Sequence, residues 1–524
     1  MHGIVSPLPR VQLINAFNSP FDNAIATART CYSSRVIYDE DVRKDEKALK
    51  LRDDIAQSTY QAGHHTTLQH AHFQFALENV SRQVLWSFFH SHPFYNSEQV
   101  SQRYVEVKPD RMLIPDLKNP TLQDRYVSAV NRQMSVYKEL LTLLHPAASD
   151  AYFSVYKARL KNKEDPRWTS AIKKRCQEVA RYVLPVATHA HLYHTISGIT
   201  LHRYHRLSQS DDCPFEQRLI IDAMVQEVSK IDPLFFRDIE PVMPREHIHE
   251  ERLLAAHGTR RDPAGFIADF DQELNGKCAK LVGFTTNATS ILASSVRQVF
   301  ALSKEALPDN EALCWLLDPS KNNYLGESLN LNTLGKATRA LELVQFTFQK
   351  KISHTADSQA QRHRMIPATR PTLHTHVVRG QPDYITPQLF EHPLAERAKQ
   401  IYDIEMSRIF DDIDYMIDAG ASPESWQYLL PNSFPIRYTE TGSLLDHHHK
   451  WTSRLCYNAQ EEIWHASLEE VLQVEKQFPE IGRWLLPPCG QRALSQNTPV
   501  CPEGIRFCGV PVWRLQKSEY KRIL

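Results

Sequence analysis

Apolar positions along the chain follow two periods, and the order in which these alternate occurs twice. Residues 11–14 (VQLI) read as a short strand and Asn18-Ser-Pro20 as a turn. Residues 22–31 (DNAIATARTC) carry apolar side chains at helical spacing, with an N-capping residue available. Residues 47–63 predict a second helix that stops at a glycine. Residues 72–77 (HFQFAL) alternate as a half-buried strand does, and the apolar, aromatic stretch 80–90 predicts a buried helix. A long polar helix is expected over about 124–143, and further helices over 173–184 and 214–231. Residues 232–271 are rich in Pro, His and charge without a clear period, which predicts a connector with one helix around 250–257. The chain then restarts: 278–284 as a strand, 285–289 as a turn and 290–300 as a helix, the order already seen over 11–31.

Individual motifs repeat with it. Phe346-Thr-Phe348 precedes Gln359-Ala-Gln-Arg362-His363-Arg364, and Phe73-Gln-Phe75 precedes Phe89-His90-Ser91 at the same sixteen-residue offset from the first Phe. Only the second copy keeps the arginines. Ser101-Gln102-Arg103-Tyr104 follows the first copy, whereas the second reads Met365-Ile-Pro367-Ala-Thr-Arg370-Pro371. Trp426-Gln-Tyr-Leu-Leu-Pro431 repeats Ala180-Arg181-Tyr-Val-Leu-Pro185. Four landmarks in one order predict an internal duplication: a first domain over 1–235, a connector over 236–275, a second domain over 276–480 and an unpartnered tail over 481–524. The expected class is α+β, a small sheet packed with helices in each domain.

Composition narrows the class. At 524 residues the chain exceeds the size at which one core stops growing. Its 42% hydrophobic and 23% charged content is that of a soluble globular protein. Lys+Arg and Asp+Glu balance at 61 each, so no global field favours nucleic acid or a membrane surface. No run approaches the length of a membrane helix and no secretory signal is visible, while nine cysteines without CxxC pairs fit reduced thiols in a cytoplasm. Twenty-five histidines invite a metal: His90-Ser-His92, His447-His-His449, and His202 with His205 offer imidazoles. Yet no His-Glu-x-x-His occurs and no carboxylate is spaced to complete a zinc set, so no metal is expected. Cys489, Cys501 and Cys508 resemble a loose zinc knuckle that Cys456 or a histidine would have to complete; free buried thiols are the simpler reading.

At its motifs the chain resembles the flavin-dependent thymidylate synthases, the ThyX family. That family's signature is an Arg-His-Arg triplet leading to Asn-Glu-x-Ser-x-Arg-Tyr, with Gly-His-x-Thr/Ser-x-x-Glu-His upstream. Ala-Arg-x-Val-Leu-Pro and an Arg before Ala-Gln-x-Glu-Ile lie downstream. Here Gly63-His64-His65-Thr66-Thr-Leu-Gln69-His70, Ala180-Arg181-Tyr-Val-Leu-Pro185, and Arg454 with Ala459-Gln460-Glu-Glu462-Ile463 resemble these elements. The likeness covers roughly 9–232 and 276–475. The family's homotetramers share each nucleotide site between neighbouring subunits. The resemblance implies that Gln359, Arg362 and Arg454 match one side of such a site, and Ser101, Arg103, Tyr104 and Arg181 the other, with Trp86, Phe89 and Gln427 at the spoiled reciprocal positions. A homodimer would then act as a pseudo-tetramer.

The implied reaction is reductive methylation of dUMP at C5 to dTMP, with FAD as cofactor and NADPH and methylenetetrahydrofolate as co-substrates. Arg103 and Arg181, with Ser101 and Gln99 beside them, suit the phosphate because guanidinium forks match phosphate oxygens. Arg454 beside the uracil would favour its ionised form, which makes Arg454 and Ser101 the catalytic candidates. Arg362, His363, Arg364 and Met365 are the flavin candidates of the second half, and His64, Thr66 and Glu98 those of the first, Glu98 or Gln99 standing for the family's glutamate. The family's flavin-binding Asn-x-Arg falls here on Ser197 and Ile199, and on Ser443 and Leu445, so His449 is a further candidate. Two other readings stay open: C5 methylation of another uracil nucleotide, and a catalytically silent nucleotide-binding or scaffold protein.

Overall fold

The computed structural model describes residues 3–90, 94–237 and 239–522; Ser91 and His92 of the sequence motifs lie outside them. The chain forms two compact units. One comprises Met1–Arg132, Pro185–Arg261 and Asp411–Leu430, the other Gln133–Leu184, Asp262–Phe410 and Pro431–Leu524, so each draws on both halves of the sequence. The first unit holds an antiparallel sheet of β1 (Arg10–Ala16), β2 (His72–Ser81), β3 (Tyr95–Gln99) and β4 (His189–Ser197), in the order β1-β2-β4-β3. The second holds β5 (Ala279–Phe284), β6 (Gln345–Ser353) and β7 (Pro435–Ser443), in that order and also antiparallel. Helices cover these small sheets, the α+β class expected. Among the described residues no helix is long and apolar enough to cross a membrane.

Period-two alternation places Phe346, Phe348, Lys350 and Ile352 on the buried face of β6. Against it pack Leu292 and Val296 of the helix Ala288–Phe300, Trp451 of the helix Leu444–Arg454, and Val471 and Val474 of the helix Glu461–Gln477. Several expected elements form within a few residues of the expectation, including Pro20–Thr30, Glu46–Gln61 and Pro214–Ile231. The stretch 80–90 is not one helix. Val80 and Ser81 finish β2, the Ser81 hydroxyl caps the short helix Arg82–Val84, and a π-helical turn follows over Leu85–Phe89. The connector carries a second helix, Pro263–Leu274, started by the Asp262 side chain.

The duplication extends to single hydrogen bonds. Arg82 N–H donates to the Thr188 carbonyl at 2.9 Å, and His354 N–H to that of Phe434 at 2.8 Å. Gly198 N–H donates to Ala71 at 2.8 Å, and Leu444 N–H to Val344 at 2.7 Å. The match corrects the sequence frame. β2 carries an irregularity between Leu77 and Val80, with Asn79 at φ 56°, while β6 pairs with β7 without interruption. One extra residue enters β2 there. After this bulge the N-cap Ser81 corresponds to the N-cap Ser353, so Arg362 corresponds to His90 rather than Phe89, and Gln359 to Ser87 rather than Trp86.

Both units share one anchoring interaction. The Glu216 carboxylate accepts from Ser81 N–H at 2.7 Å, the Ser81 hydroxyl at 2.6 Å and the Tyr428 hydroxyl at 2.7 Å. In the other unit Glu462 accepts from Ser353 N–H, and from the Ser353 and Tyr182 hydroxyls at 2.6 Å each. Each glutamate thereby ties the end of a strand and the start of a helix to the tyrosine of a Tyr-x-Leu-Pro segment. Complete burial of Glu216 pushes its carboxyl up to about 7, against the donors that favour the charged form. The folded chain therefore holds a proton that the unfolded chain releases, and stability should fall as pH rises from about 4.5 to about 7. Urea unfolding across this window checks it: Glu216→Gln is expected to flatten the slope, and an unchanged slope would contradict the assignment.

Candidate functional site

The helix Leu444–Arg454 starts at Ser443, whose hydroxyl accepts from Asp446 N–H at 3.1 Å, and carries His447, His448, His449, Lys450 and Arg454. The helix His354–Ala360, capped by Ser353, brings Gln359 to its last turn and hands the chain to Arg362 and His363. The two helices meet at Arg454. Its Nε donates to His363 Nε2 at 3.0 Å and its Nη2 to the Gln359 carbonyl at 3.0 Å. The His449 ring packs edge-on against His363 at 5.8 Å and 65°. Burial, with the Arg454 and Lys450 cations, holds His363 well below the usual imidazole range. It is therefore neutral, with a lone pair on Nε2 for the guanidinium.

Beside this cluster lies a cavity of about 280 Å³, walled by His448, His449, Thr452 and Ser453 of the same helix and by Asn330 and Arg492, among others. The Arg492 guanidinium is held by the carbonyls of Gly326 and Pro499 at 2.8 and 3.0 Å. Arg362 and Met365 are exposed, and Arg364 is partly buried. Arg181 belongs to the same unit and is buried; its Nε donates to the Glu178 carbonyl at 3.2 Å, and its own carbonyl accepts from Asn432 at 2.9 Å.

The remaining sequence candidates lie in the other unit, at two places. Glu98 and Gln99 end β3, and Ser101, Arg103 and Tyr104 form the turn that follows. The Ser101 hydroxyl accepts from Arg103 N–H at 3.2 Å, and the Arg103 guanidinium lies 5.3 Å from the centre of the Tyr104 ring. Arg82, which the sequence reading passed over, braces this turn by donating to the Gln99 side chain at 3.0 Å and the Val100 carbonyl at 2.5 Å. His64 and Thr66 sit by the 3-10 turn His65–His70, where His64 lines a cavity of about 50 Å³ with Tyr60, His202 and Phe235.

The largest feature missed in the sequence is a ring of buried charge beneath Arg454. Lys350 Nζ lies 3.2 Å from Glu440 and 2.7 Å from Glu470; Lys450 Nζ lies 2.5 Å from Glu440 and 2.7 Å from Glu470. All four are buried, and Trp451 Nε1 donates to Glu470 at 2.6 Å. Glu440, His447 and Glu470 bring ligand atoms within 4.8 Å of one another. Both carboxylates are already engaged by ammonium groups, however, and the set reads as an ion-pair network. Burial and Lys450 push His447 down to about 3, keeping it neutral. At the matching positions the first half has Leu77, His194, Tyr204 and Met224, with the Tyr204 hydroxyl 3.3 Å from His194 Nε2.

Glu470→Gln leaves two ammoniums with one carboxylate, and unfolding measurements should show a loss of about 3–5 kcal/mol. Replacing all four by the first half's residues (Lys350→Leu, Glu440→His, Lys450→Tyr, Glu470→Met) should cost less than that single change. The lysines hold Glu440 and Glu470 below the usual carboxylate range despite burial. Their contribution is thus present above about pH 4.5 and lost as pH falls below it.

Comparison with known proteins adds the following. The family model described as thymidylate synthase complementing protein (Thy1) matches residues 12–234 and again 280–480. A flavin-dependent thymidylate synthase of Clostridium tetani is 26% identical over 231 residues, covering 44% of this chain and 85% of that protein. A UPF0159 protein of Chlamydia muridarum is 25% identical over 354 residues, covering 66% of this chain and 61% of that protein. Among solved structures, the UMP/dUMP methylase PolB of Streptomyces cacaoi, bound with 5-Br dUMP, covers 46% of this chain and 98% of its own, at 18% identity and a TM-score of 0.32.

Proposed function

Because the chain belongs to the thymidylate synthase complementing protein (Thy1) family, with two family regions in one polypeptide, we propose that it is a flavin-dependent methyltransferase of the thymidylate synthase type. Its reaction is methylation of a uracil nucleotide at C5, dUMP to dTMP, with NADPH and methylenetetrahydrofolate as co-substrates. The observation that carries this reading is the Arg454 guanidinium, oriented in advance by His363 Nε2 and the Gln359 carbonyl. A fixed cation beside the pyrimidine carbonyls stabilises the negative charge that develops as C5 becomes nucleophilic, with no covalent enzyme nucleophile. Neutral His363 keeps the guanidinium in that orientation. Gln359 and Arg362 serve the base, Arg181 is the phosphate fork in the same unit, and Ser101, Arg103 and Tyr104, with Gln99, are the other phosphate candidates.

Flavin fits part of what the residues offer. His448, His449, Thr452 and Ser453 give the 280 Å³ cavity neutral donors and acceptors, on the scale of a ring system rather than a whole dinucleotide. His363, Arg364 and Met365 belong to the adjoining turn, and His64, Thr66 and Glu98 are the candidates elsewhere. FAD bound there would supply the hydride that completes the methyl group. The family's Asn-x-Arg positions do not contribute: the Ser443 hydroxyl donates to Asp446 at 2.6 Å, and Leu445 is buried. Ser197 bonds Thr200 at 3.1 Å, and Ile199 is buried. That observation favours a second reading, a catalytically silent nucleotide-binding protein. A homodimer is the assembly we expect for either.

Tritium release from C5-labelled dUMP and UMP, with FAD, NADPH and methylenetetrahydrofolate supplied, separates the readings. The enzyme reading expects a yellow protein and release from dUMP in excess of UMP; a colourless protein that takes up no FAD and releases nothing favours the silent one. Arg454→Ala should lower turnover by about 10²–10³-fold in a folded protein. Arg362→Ala and Arg103→Ala should each abolish measurable dUMP binding by calorimetry, and wild-type affinity in both would remove these residues from the nucleotide site.

A further inference from the structure

We propose that Arg492 is an anion anchor, holding a phosphate group of the ligand that fills the 280 Å³ cavity. On the reading above that this cavity takes a flavin ring, Arg492 fixes the charged part of that flavin. The helix Leu444–Arg454 gives the cavity His448, His449, Thr452 and Ser453. Residues between 324 and 332, and Arg492 with its neighbours in the C-terminal segment, build the rest. Both of these are additions to the second half. Residues 318–344 join the helix Asp309–Leu317 to β6, where the first half runs from the helix Glu46–Gln61 to β2 with residues 62–71. The C-terminal segment has no counterpart in the first half.

Three features point to an anion. First, among the described lining residues Arg492 carries the one permanent positive charge, and the one carboxylate, Glu327, is exposed. Arg492 itself is half-buried, and among the described residues no carboxylate pairs with it. Backbone carbonyls orient a guanidinium but do not neutralise it, so an anion is the group it lacks. Second, the fork is set in advance. Nε donates to the Pro499 carbonyl at 3.0 Å and Nη1 to the Gly326 carbonyl at 2.8 Å. Nη2 keeps both hydrogens for a ligand, in the planar geometry that matches phosphate oxygens. Third, the other polar groups are neutral. Burial pushes His448 down to about 4, and burial with the Arg454 cation lowers His449, so neither imidazole is a competing cation. The buried Thr452 hydroxyl has no hydrogen-bond partner among the described residues, and with the imidazoles it suits the polar edge of a ring.

The wall that carries Arg492 is held independently of the cation. Asn497 Nδ2 donates to the same Gly326 carbonyl at 3.0 Å, and the Ser495 hydroxyl to the Pro319 carbonyl at 3.0 Å. These two side chains fasten the C-terminal segment to residues 319–326, so removing the charge of Arg492 leaves the seam with two of its bonds. A role in anchoring phosphate and a role in bracing the wall can therefore be told apart.

Equilibrium dialysis of the full-length protein against FMN, FAD and riboflavin tests the anchor without any turnover. FMN and FAD should each bind at least about tenfold more tightly than riboflavin, which has the same ring and no phosphate. Arg492→Ala should remove that preference and leave riboflavin affinity unchanged. Asn497→Ala, which loosens the same Gly326 carbonyl and keeps the cation, should retain it. Should Arg492→Ala fail to fold, Arg492→Gln, which keeps a donor for Gly326 without the charge, takes its place. Equal affinity of the wild-type protein for the three flavins overturns the anchor and leaves the flavin reading standing. So does a preference that survives loss of the Arg492 charge, or one that Asn497→Ala abolishes equally. A folded protein that binds none of the three overturns both.

Discussion

A carboxylate ringed by three donors sits at the same point of both units, and the local architecture is arranged around it. Glu462 receives Ser353 through its N–H and hydroxyl, and Tyr182 through its ring hydroxyl; Glu216 receives Ser81 and Tyr428 in the same way. Removing such a carboxylate would leave three donors unpaired in a poorly hydrated interior, each at a cost of about 1–3 kcal/mol. The interaction therefore fixes where β6 ends, where the next helix begins, and how the segment carrying Arg181 runs past it. Gln359, on that helix, then meets Arg454 at a distance that the clamp has set.

Around this shared frame the two halves diverged in what they bury. The second half closes its core under Arg454 with two lysines and two glutamates in alternation. The first half fills the same positions with Leu77, His194, Tyr204 and Met224. Stability alone does not call for the charged version, since hydrophobic groups of similar size serve as well or better. What the charged version adds is a cation, Lys450, one turn before Arg454 on the same helix. It helps keep His363 neutral. The half that retained the arginine triplet is also the half with the ion network; on His363 burial and Arg454 act more strongly than Lys450, and Glu440 of the same network opposes them.

Much of this was legible in the sequence, and the losses have identifiable causes. The alternation of β6 places Lys350 on the same face as Phe346 and Phe348, so a buried charge was readable there from the pattern alone. Its partners Glu440, Lys450 and Glu470 lie on other elements, and nothing local marks them. β4 and β7 were not anticipated because their inward positions include His194 and Glu440, which hide the apolar alternation a buried strand normally shows. The one-residue slip that assigned Arg362 to Phe89 arose because a bulge at Asn79 leaves no signature beyond a polar residue within a strand. Cys456, one of the residues the sequence offered beside Cys489, Cys501 and Cys508, lines one small pocket with them.

The central claim is that the cluster of Arg454, His363 and Gln359 is a pyrimidine-nucleotide site. A crystal of the full chain soaked with dUMP tests it most directly. The account predicts the uracil ring within hydrogen-bonding distance of the Arg454 guanidinium, with Gln359 and Arg362 around the same base. A well-ordered nucleotide bound elsewhere, with Arg454 still donating to His363 and the Gln359 carbonyl, would contradict it.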